Sequence, residues 1–90
     1  MLLQTPNEMA YDVARRFRKL RRSRKVTIKS LSERSGVPYS TLRRFESTGE
    51  IAFVSLVKIA SVLGEDDQIQ GLFANPHPQS MEEVLRANRL

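Results

Sequence analysis

Two adjacent arginines, Arg43 and Arg44, follow a tyrosine and a serine in the segment SGVPYSTLRRFESTGE at residues 35–50. Arginine has a planar guanidinium that can donate two parallel hydrogen bonds, for example to a carboxylate, to a phosphate or to O6 and N7 of guanine. The hydroxyls of Tyr39 and Ser40 can bond a phosphate or a base edge. A solvated cation pair is the alternative interpretation of the two arginines, and a partly packed aromatic ring is the alternative for Tyr39.

A dense run of basic residues precedes this segment. No acidic residue stands within it to form ion pairs at i,i+4, so the positive charges repel one another. A solvated helix face is the ordinary explanation of such a run, but a polyanion would relieve the repulsion, nucleic acid first and an anionic membrane second. Eight of the eleven residues at 15–25 are basic: Arg15, Arg16, Arg18, Lys19, Arg21, Arg22, Arg24 and Lys25.

Charge and composition narrow the classes of function. The 90 residues suffice for one domain, and the net charge of +5 is unevenly divided. Residues 1–48 carry 12 Lys and Arg against 4 Asp and Glu, whereas residues 49–90 carry 3 against 6. There is no Cys and only one His, His77, and no catalytic triad, paired carboxylates or phosphate-binding glycine loop is present. We therefore expect no enzyme, cofactor, metal or small-molecule ligand, no membrane association, and a cytoplasmic, nucleoid-associated location.

The chemistry-bearing residues need helices to position them. Thr5, Pro6 and Glu8 form a capping-box pattern that begins a first helix, which we expect to run from residue 6 to about residue 24. Its apolar residues recur at helical spacing and predict one inward stripe. The members of this predicted stripe are Met9, Val13, Phe17 and Leu20.

A short second helix, a glycine turn and a short third helix follow. Thr27 is a capping residue for the second helix, and Gly36 ends it because glycine adopts positive φ without steric cost. Pro38 lies at or beside the start of the third helix. Leu42 and Phe45 form the buried side of that helix, so the two arginines must point elsewhere. Residues 27–47 are thus predicted to be a helix-turn-helix.

The remaining residues predict two more helices and a tail. The strand-forming residues at 51–54 are compatible with an extended connection, but the helical period that follows favours entry into a fourth helix ending at Gly64. A fifth helix begins near Asp66, two prolines then break the chain, and Ser80 opens a final helix. The prediction is an all-α protein: a compact five-helix domain at 1–74, and a proline break with a short C-terminal helix at 75–90.

Residues 13–64 resemble the Cro/C1-type (XRE-family) helix-turn-helix domain of bacterial and phage repressors. The resemblance rests on the basic first helix, on Leu31, Gly36, Leu42 and Glu46, and on the LVKIASVLG helix that follows. It implies a lambda-repressor-like domain that is usually dimeric and inserts its third helix into the major groove of DNA.

Individual positions match the family pattern. Gly36 falls at the turn glycine, and Arg21 with Glu46 falls at a structural pair that joins the first and third helices in several members. Ile28 and Ala52 depart from the pattern, because many relatives have Gln and Ser or Thr there. The resemblance and the charges together give two predicted contact sets. The base-contacting set is Tyr39, Ser40, Arg43 and Arg44, with Arg44 the first choice for guanine, and the phosphate-contacting set is Thr27, Lys29, Thr41, Arg22 and Arg24.

A further resemblance, to HipB-type antitoxins, involves the segment GEIAFVSLVKIASVLG and the C-terminal region. It implies a homodimer on a palindromic operator that also binds a HipA-like kinase toxin, with 75–90 as a partner-binding or dimer-supporting tail. Ile69, Leu72 and Phe73 are candidates for the dimer surface or, equally, for the core. The alternatives are a phage-type or stand-alone regulator without a toxin, and a protein-interaction module with only nonspecific nucleic-acid binding.

Overall fold

The computed structural model describes residues 3–75, and within this range the chain is entirely helical, with no strand. Leu2 and the tail from residue 76, including the predicted final helix at Ser80, lie outside the described residues. The all-α, five-helix prediction is confirmed for the described part. The helices are α1 (Pro6–Ser23), α2 (Ile28–Ser35), α3 (Tyr39–Thr48), α4 (Phe53–Val62) and α5 (Asp66–Gln70).

The capping box at the start of α1 is formed. The Thr5 backbone N–H donates to Glu8 Oε1 at 2.8 Å, and the Glu8 N–H donates to Thr5 Oγ1 at 3.1 Å. The pKa of Glu8 lies below its ordinary value, because Thr5 donates hydrogen bonds to the Glu8 carboxylate. The larger effect comes from the Thr5 backbone and the smaller from its side chain. α1 therefore begins with two of its free N–H groups satisfied.

The turn between α2 and α3 has the predicted geometry. Thr27 Oγ1 accepts from the Ser30 N–H at 3.0 Å and caps α2. Gly36 ends α2 with a left-handed φ of 78°. The Ser32 hydroxyl donates to the Val37 carbonyl at 2.6 Å, and the Val37 N–H donates to Ser35 Oγ at 3.1 Å. These bonds fix the short turn from which α3 projects.

The core lies between α3 and two other helices, α1 and α2, both of which pack against it. α4 packs against α2 and α5. Phe17 of α1 and Phe45 of α3 meet edge to face, with ring centroids 5.5 Å apart. Burial of these side chains is the main stabilising contribution in a domain of this size. The core residues are Ala14, Phe17, Leu31, Val37, Leu42, Phe45, Ile59 and Leu63.

The inward face of α1 differs from the predicted apolar stripe. Phe17 is buried and Leu20 is half-buried, but Met9 and Val13 are 49% and 40% exposed, so the assignment of the last two was wrong. The buried residues are instead Ala14, Phe17 and Arg21, with Ala10 half-buried beside them, so all but Phe17 lie one residue further along the helix. The physical reason is that small alanines allow α1 to approach its neighbours closely, and Arg21 satisfies its charge inside the core.

Gly49 shows how close that approach is. It ends α3 with a φ of 88°, which an L side chain rarely adopts. A Cβ atom placed on Gly49 would lie 2.6 Å from the carbonyl carbon of Ala10 and 2.7 Å from the Tyr11 nitrogen. The end of α3 therefore rests directly on the backbone of α1, and only glycine fits there.

The segment at 51–54 enters α4, as predicted, although Ala52 provides no side-chain cap. α4 is followed by the short helix α5, which contacts α4. Ile69 is half-buried, whereas Leu72 is 46% exposed and Phe73 is 92% exposed. Leu72 and Phe73 therefore do not belong to the core of the described domain. No helix among residues 3–75 combines the length and apolarity that a bilayer crossing needs.

Candidate nucleic-acid interface

The outward side of α3 is polar and cationic. Leu42 and Phe45 are buried, which turns Tyr39, Arg43 and Arg44 to the opposite side, where all three are exposed. The Arg43 guanidinium lies 5.9 Å from the centroid of the Tyr39 ring, and its Nη1 donates to the Tyr39 hydroxyl at 3.3 Å. The tyrosine thus supports the cation one turn further along the helix.

Arg44 is paired differently from its neighbour. Its Nη2 donates to Glu50 Oε2 at 3.0 Å, and the side chains of both residues are about two-thirds exposed. Ser40, exposed at the start of α3, has no side-chain hydrogen bond among the described residues. α3 therefore presents two guanidiniums and two hydroxyl groups on one surface.

A cationic stripe on α1 borders this surface. Tyr11, Arg15, Arg18 and Arg22 follow one another at spacings of four, three and four residues, so they share one side of the helix. The Arg15 guanidinium lies 5.8 Å from the Tyr11 ring centroid. An open groove between α1 and α3 is lined by Tyr11 and Arg18 of the stripe and by Arg43, Glu46 and Ser47 of α3. The positive surface is therefore continuous from α3 onto α1.

A buried ion pair fixes the position of α3 relative to α1. Arg21 Nε donates to Glu46 Oε2 at 2.7 Å, and Arg21 Nη2 donates to Glu46 Oε1 at 2.9 Å, which is a bidentate arrangement. Both side chains are less than one-tenth exposed. Arg21 Nη1 also donates to the Val26 carbonyl at 2.8 Å, so the same side chain ties down the α1–α2 connection. Arg18 approaches Glu46 only to 3.9 Å.

The structure places the five predicted phosphate-contacting residues in different settings. Arg22 and Lys29 are exposed, and Thr41 is half-buried. Thr27 uses its oxygen to cap α2, which leaves its hydroxyl hydrogen free to be donated. Arg24 donates to the Leu63 carbonyl and pairs with Glu65. A phosphate contact from Arg24 would therefore compete with partners inside the chain.

Sequence reasoning missed Glu50 and the stripe. From the basic run, the predicted phosphate-contacting set took Arg22 and Arg24 and left out Arg15 and Arg18, and it did not include Tyr11. A helical-wheel reading of α1 could have found the stripe, because its members lie at i, i+4, i+7 and i+11. No signal in the sequence indicated the pairing of Glu50 with Arg44, since it depends on the turn at Gly49.

The described residues contain no group of His, Cys, Asp and Glu side chains that could hold a metal ion. What the surface offers is fixed positive charge, planar donors and hydroxyls on a projecting helix, which suits recognition of a phosphate backbone and of base edges. Comparison with known proteins agrees with this geometry. The helix-turn-helix family model HTH_3 matches residues 17–69, which is more than half of the chain.

Searches of the curated proteins and of the solved structures found no match. The family match covers the end of α1 from residue 17, all of α2, α3 and α4, and most of α5. It therefore includes the turn at Gly36, the projecting α3 and the buried pair that holds it. The chain belongs to the helix-turn-helix family, as a DNA-binding transcriptional regulator of the Cro/C1 (XRE) type.

Proposed function

We propose that the protein is a sequence-specific repressor that binds double-stranded DNA as a homodimer on a palindromic operator. One observation carries the proposal: α3 is held rigidly by its buried side and exposes Tyr39, Ser40, Arg43 and Arg44 together. Arg44 is the first candidate to read a guanine, with Arg43 the second. The α1 stripe, with Thr27 and Lys29, supplies contacts to phosphates, and repression follows from occlusion of a promoter.

The homodimer is supported by where the exposed apolar residues lie. α5 packs against α4, whereas α3 packs against α1 and α2. Leu72 and Phe73, just after α5, are exposed apolar side chains, and neither α4 nor α5 contacts α3. A second copy that covers them would leave both α3 helices free. Two such helices about 34 Å apart would read successive major grooves on one side of DNA.

Selection of bound duplexes from a random DNA pool, at about 150 mM salt to weaken nonspecific phosphate binding, tests the proposal. The wild-type chain is expected to enrich a palindrome. Arg44→Ala should relax one symmetric pair of positions and weaken binding by about 1–3 kcal/mol. Lys58→Ala is the control, because it removes one exposed cation from α4 and should leave the sequence preference unchanged. Absence of any enriched sequence with the wild-type chain would contradict the proposal.

A narrower proposal is that the protein is the antitoxin and autorepressor of a HipBA-type operon and also binds a HipA-like kinase toxin. It is supported by the resemblance of the segment after Gly49 and by the division of charge, with the acidic excess confined to residues 49–90. Deletion of residues 80–90 should abolish co-purification with a HipA-like kinase while leaving the selected DNA motif intact. Retention of the kinase by the deleted chain would favour a stand-alone regulator.

A further inference from the structure

Glu50 belongs to a closed set of hydrogen bonds that begins and ends at Arg44. The Thr48 hydroxyl donates to the Arg44 carbonyl oxygen at 2.7 Å, and Thr48 Oγ1 accepts from the Glu50 N–H at 3.1 Å. The Glu50 carboxylate then accepts from Arg44 Nη2 at 3.0 Å. Gly49 makes the set possible, because its positive φ turns the chain back toward the last turn of α3. The turn therefore fixes the backbone of Glu50 beside the last turn of α3, and from there its carboxylate reaches Arg44.

The pairing leaves most of the Arg44 guanidinium available. A guanidinium has five N–H donors, and Glu50 accepts from Nη2 alone. A two-donor edge stays free, and such an edge is what O6 and N7 of guanine require. The side chains of Arg44 and Glu50 are both exposed, so the pair contributes little to folding stability. The main effect of the pair is therefore on Arg44 itself, because it restricts the directions in which the free guanidinium edge can point.

We propose that Glu50 is a positioning residue that orients Arg44 for base recognition. This inference rests on the proposed function, since it assumes that Arg44 reads a base. Arginine has high rotamer entropy, so a side chain held in place before binding loses less freedom when it contacts a guanine. The carboxylate has a second effect: it repels DNA phosphates, so Arg44 gains less from contacts that ignore sequence.

The inference predicts a loss of base discrimination rather than a uniform loss of affinity for all DNA. Glu50→Ala should reduce the preference for guanine at the position read by Arg44 by about 3- to 10-fold, a part of the roughly 5- to 150-fold that a bidentate arginine supplies. Binding to nonspecific DNA should be unchanged or tighter, because a negative charge is removed. Glu50→Gln keeps an acceptor oxygen without the charge and should restore part of the preference.

The test is to measure affinities for the selected operator and for its single-base variants, alongside thermal melting to show that each variant is folded. Glu33→Ala is the matched control, because it removes one exposed acidic side chain from α2 and should not change the preference at that base pair. In an Arg44→Ala background, Glu50→Ala should have no further effect on that preference.

Each outcome bears on the inference. Relaxation by Glu50→Ala at the same base pair as Arg44→Ala supports it. A wild-type preference in Glu50→Ala, a change at a different base pair, or an added effect without Arg44 would overturn it while the proposed function stands. If the wild-type chain selects no sequence, the proposed function fails and this inference fails with it.

Discussion

Two glycines in this chain share a backbone conformation and differ in surroundings. Gly36 and Gly49 have φ values of 78° and 88°. A Cβ on Gly36 would have no heavy atom within 4 Å, whereas one on Gly49 would overlap the backbone at Ala10 and Tyr11. A substitution at Gly36 therefore measures the cost of positive φ alone, whereas the same substitution at Gly49 adds the cost of a clash between α3 and α1.

We expect Gly36→Ala to lower the free energy of unfolding by about 1–2 kcal/mol, the cost of placing alanine in the left-handed region. Gly49→Ala should lower it by more than about 4 kcal/mol, because α1 and α3 must also move apart. Urea denaturation followed by circular dichroism measures both. Similar values for the two variants would show that the approach of α3 to α1 is looser than the structure indicates.

The buried pair of Arg21 and Glu46 gives a second prediction at this scale. Arg21→Ala would leave the Glu46 carboxylate buried without its bidentate partner, and such a loss costs about 3–5 kcal/mol. Arg18→Ala is the matched control, since Arg18 is exposed and only 3.9 Å from the same carboxylate. Its expected cost is within about 0.5 kcal/mol. Equal destabilisation of the two variants in urea would contradict a structural role specific to Arg21.

At the scale of the elements, α1 has three neighbouring stripes with different roles. The stripe of Ala10, Ala14, Phe17 and Arg21 packs inward, and the stripe of Tyr11, Arg15, Arg18 and Arg22 borders the groove to α3. A third stripe, which includes Met9 and Val13, is partly exposed. Each stripe is offset from the next by one residue, or about 100° around the helix.

The cationic stripe is expected to contribute to the salt dependence of DNA binding. Each phosphate contact adds about 0.9 to the magnitude of the slope of log K against log salt concentration. Arg15→Gln with Arg18→Gln should therefore reduce that magnitude by about 1–2, and should weaken binding to all sequences alike. Fluorescence anisotropy measures the slope in a titration from about 50 to about 300 mM salt. Over this range the Debye length falls to several ångströms, so contacts with phosphates weaken measurably.

The control for the stripe is a double variant with the same loss of charge on other helices. Arg34→Gln with Lys58→Gln removes two exposed cations from α2 and α4. This variant should keep a slope close to that of the wild-type chain. If the two double variants changed the slope equally, the effect would be one of net charge and not of the stripe.

Local signals were sufficient to predict most elements of the fold. Thr5 and Thr27 cap helices and Gly36 ends one, and each of these roles depends only on residues close in sequence. The inward face of α1 could not be predicted in the same way. Met9 and Val13 have the right spacing for a core stripe, but the choice between neighbouring stripes was decided by contacts with Gly49 and Glu46, which are distant in sequence.

In the candidate site, too, some features could be predicted from the sequence and others could not. The exposure of Arg43 and Arg44 follows from the burial of Leu42 and Phe45 and could be predicted from helical periodicity. The partners of Arg24 and Arg44 could not, because Glu65 and Glu50 reach them through turns whose geometry no short pattern encodes. Residues 27–47 were thus identifiable as a unit and the family resemblance implied the Arg21–Glu46 pair, whereas the pairs of Arg24 and Arg44 follow from turn geometry.

At the scale of the whole molecule, the recognition surface lies on α3 and α1, whereas the exposed Leu72 and Phe73 follow α5. Phe73, at 92% exposure, is the largest apolar side chain left open near the end of the described chain. It also has a positive φ of 62°, which is unusual for a residue with a bulky side chain. Its conformation and exposure together make Phe73 the first candidate for a residue covered in the proposed dimer.

We expect Leu72→Ser with Phe73→Ser to shift the monomer–dimer equilibrium toward monomer by about 100-fold or more, since burial of such side chains contributes roughly 1.5–3 kcal/mol each. Phe53→Ser with Val54→Ser is the matched control, because these residues are also exposed but lie at the start of α4. Sedimentation equilibrium compares the two. A shift in the control alone would place the dimer surface at α4.

The contact of Gly49 with α1 also limits how binding can be switched off. The end of α3 rests on the α1 backbone, the Arg21–Glu46 pair joins the same two helices, and Phe17 packs against Phe45. A change of tilt between α1 and α3 would break all three contacts at once, at a cost comparable to the total stability of a small domain. A partner that inhibits DNA binding is therefore expected to cover the α3 surface or to separate the copies of the proposed homodimer, and not to rotate α3 within one copy.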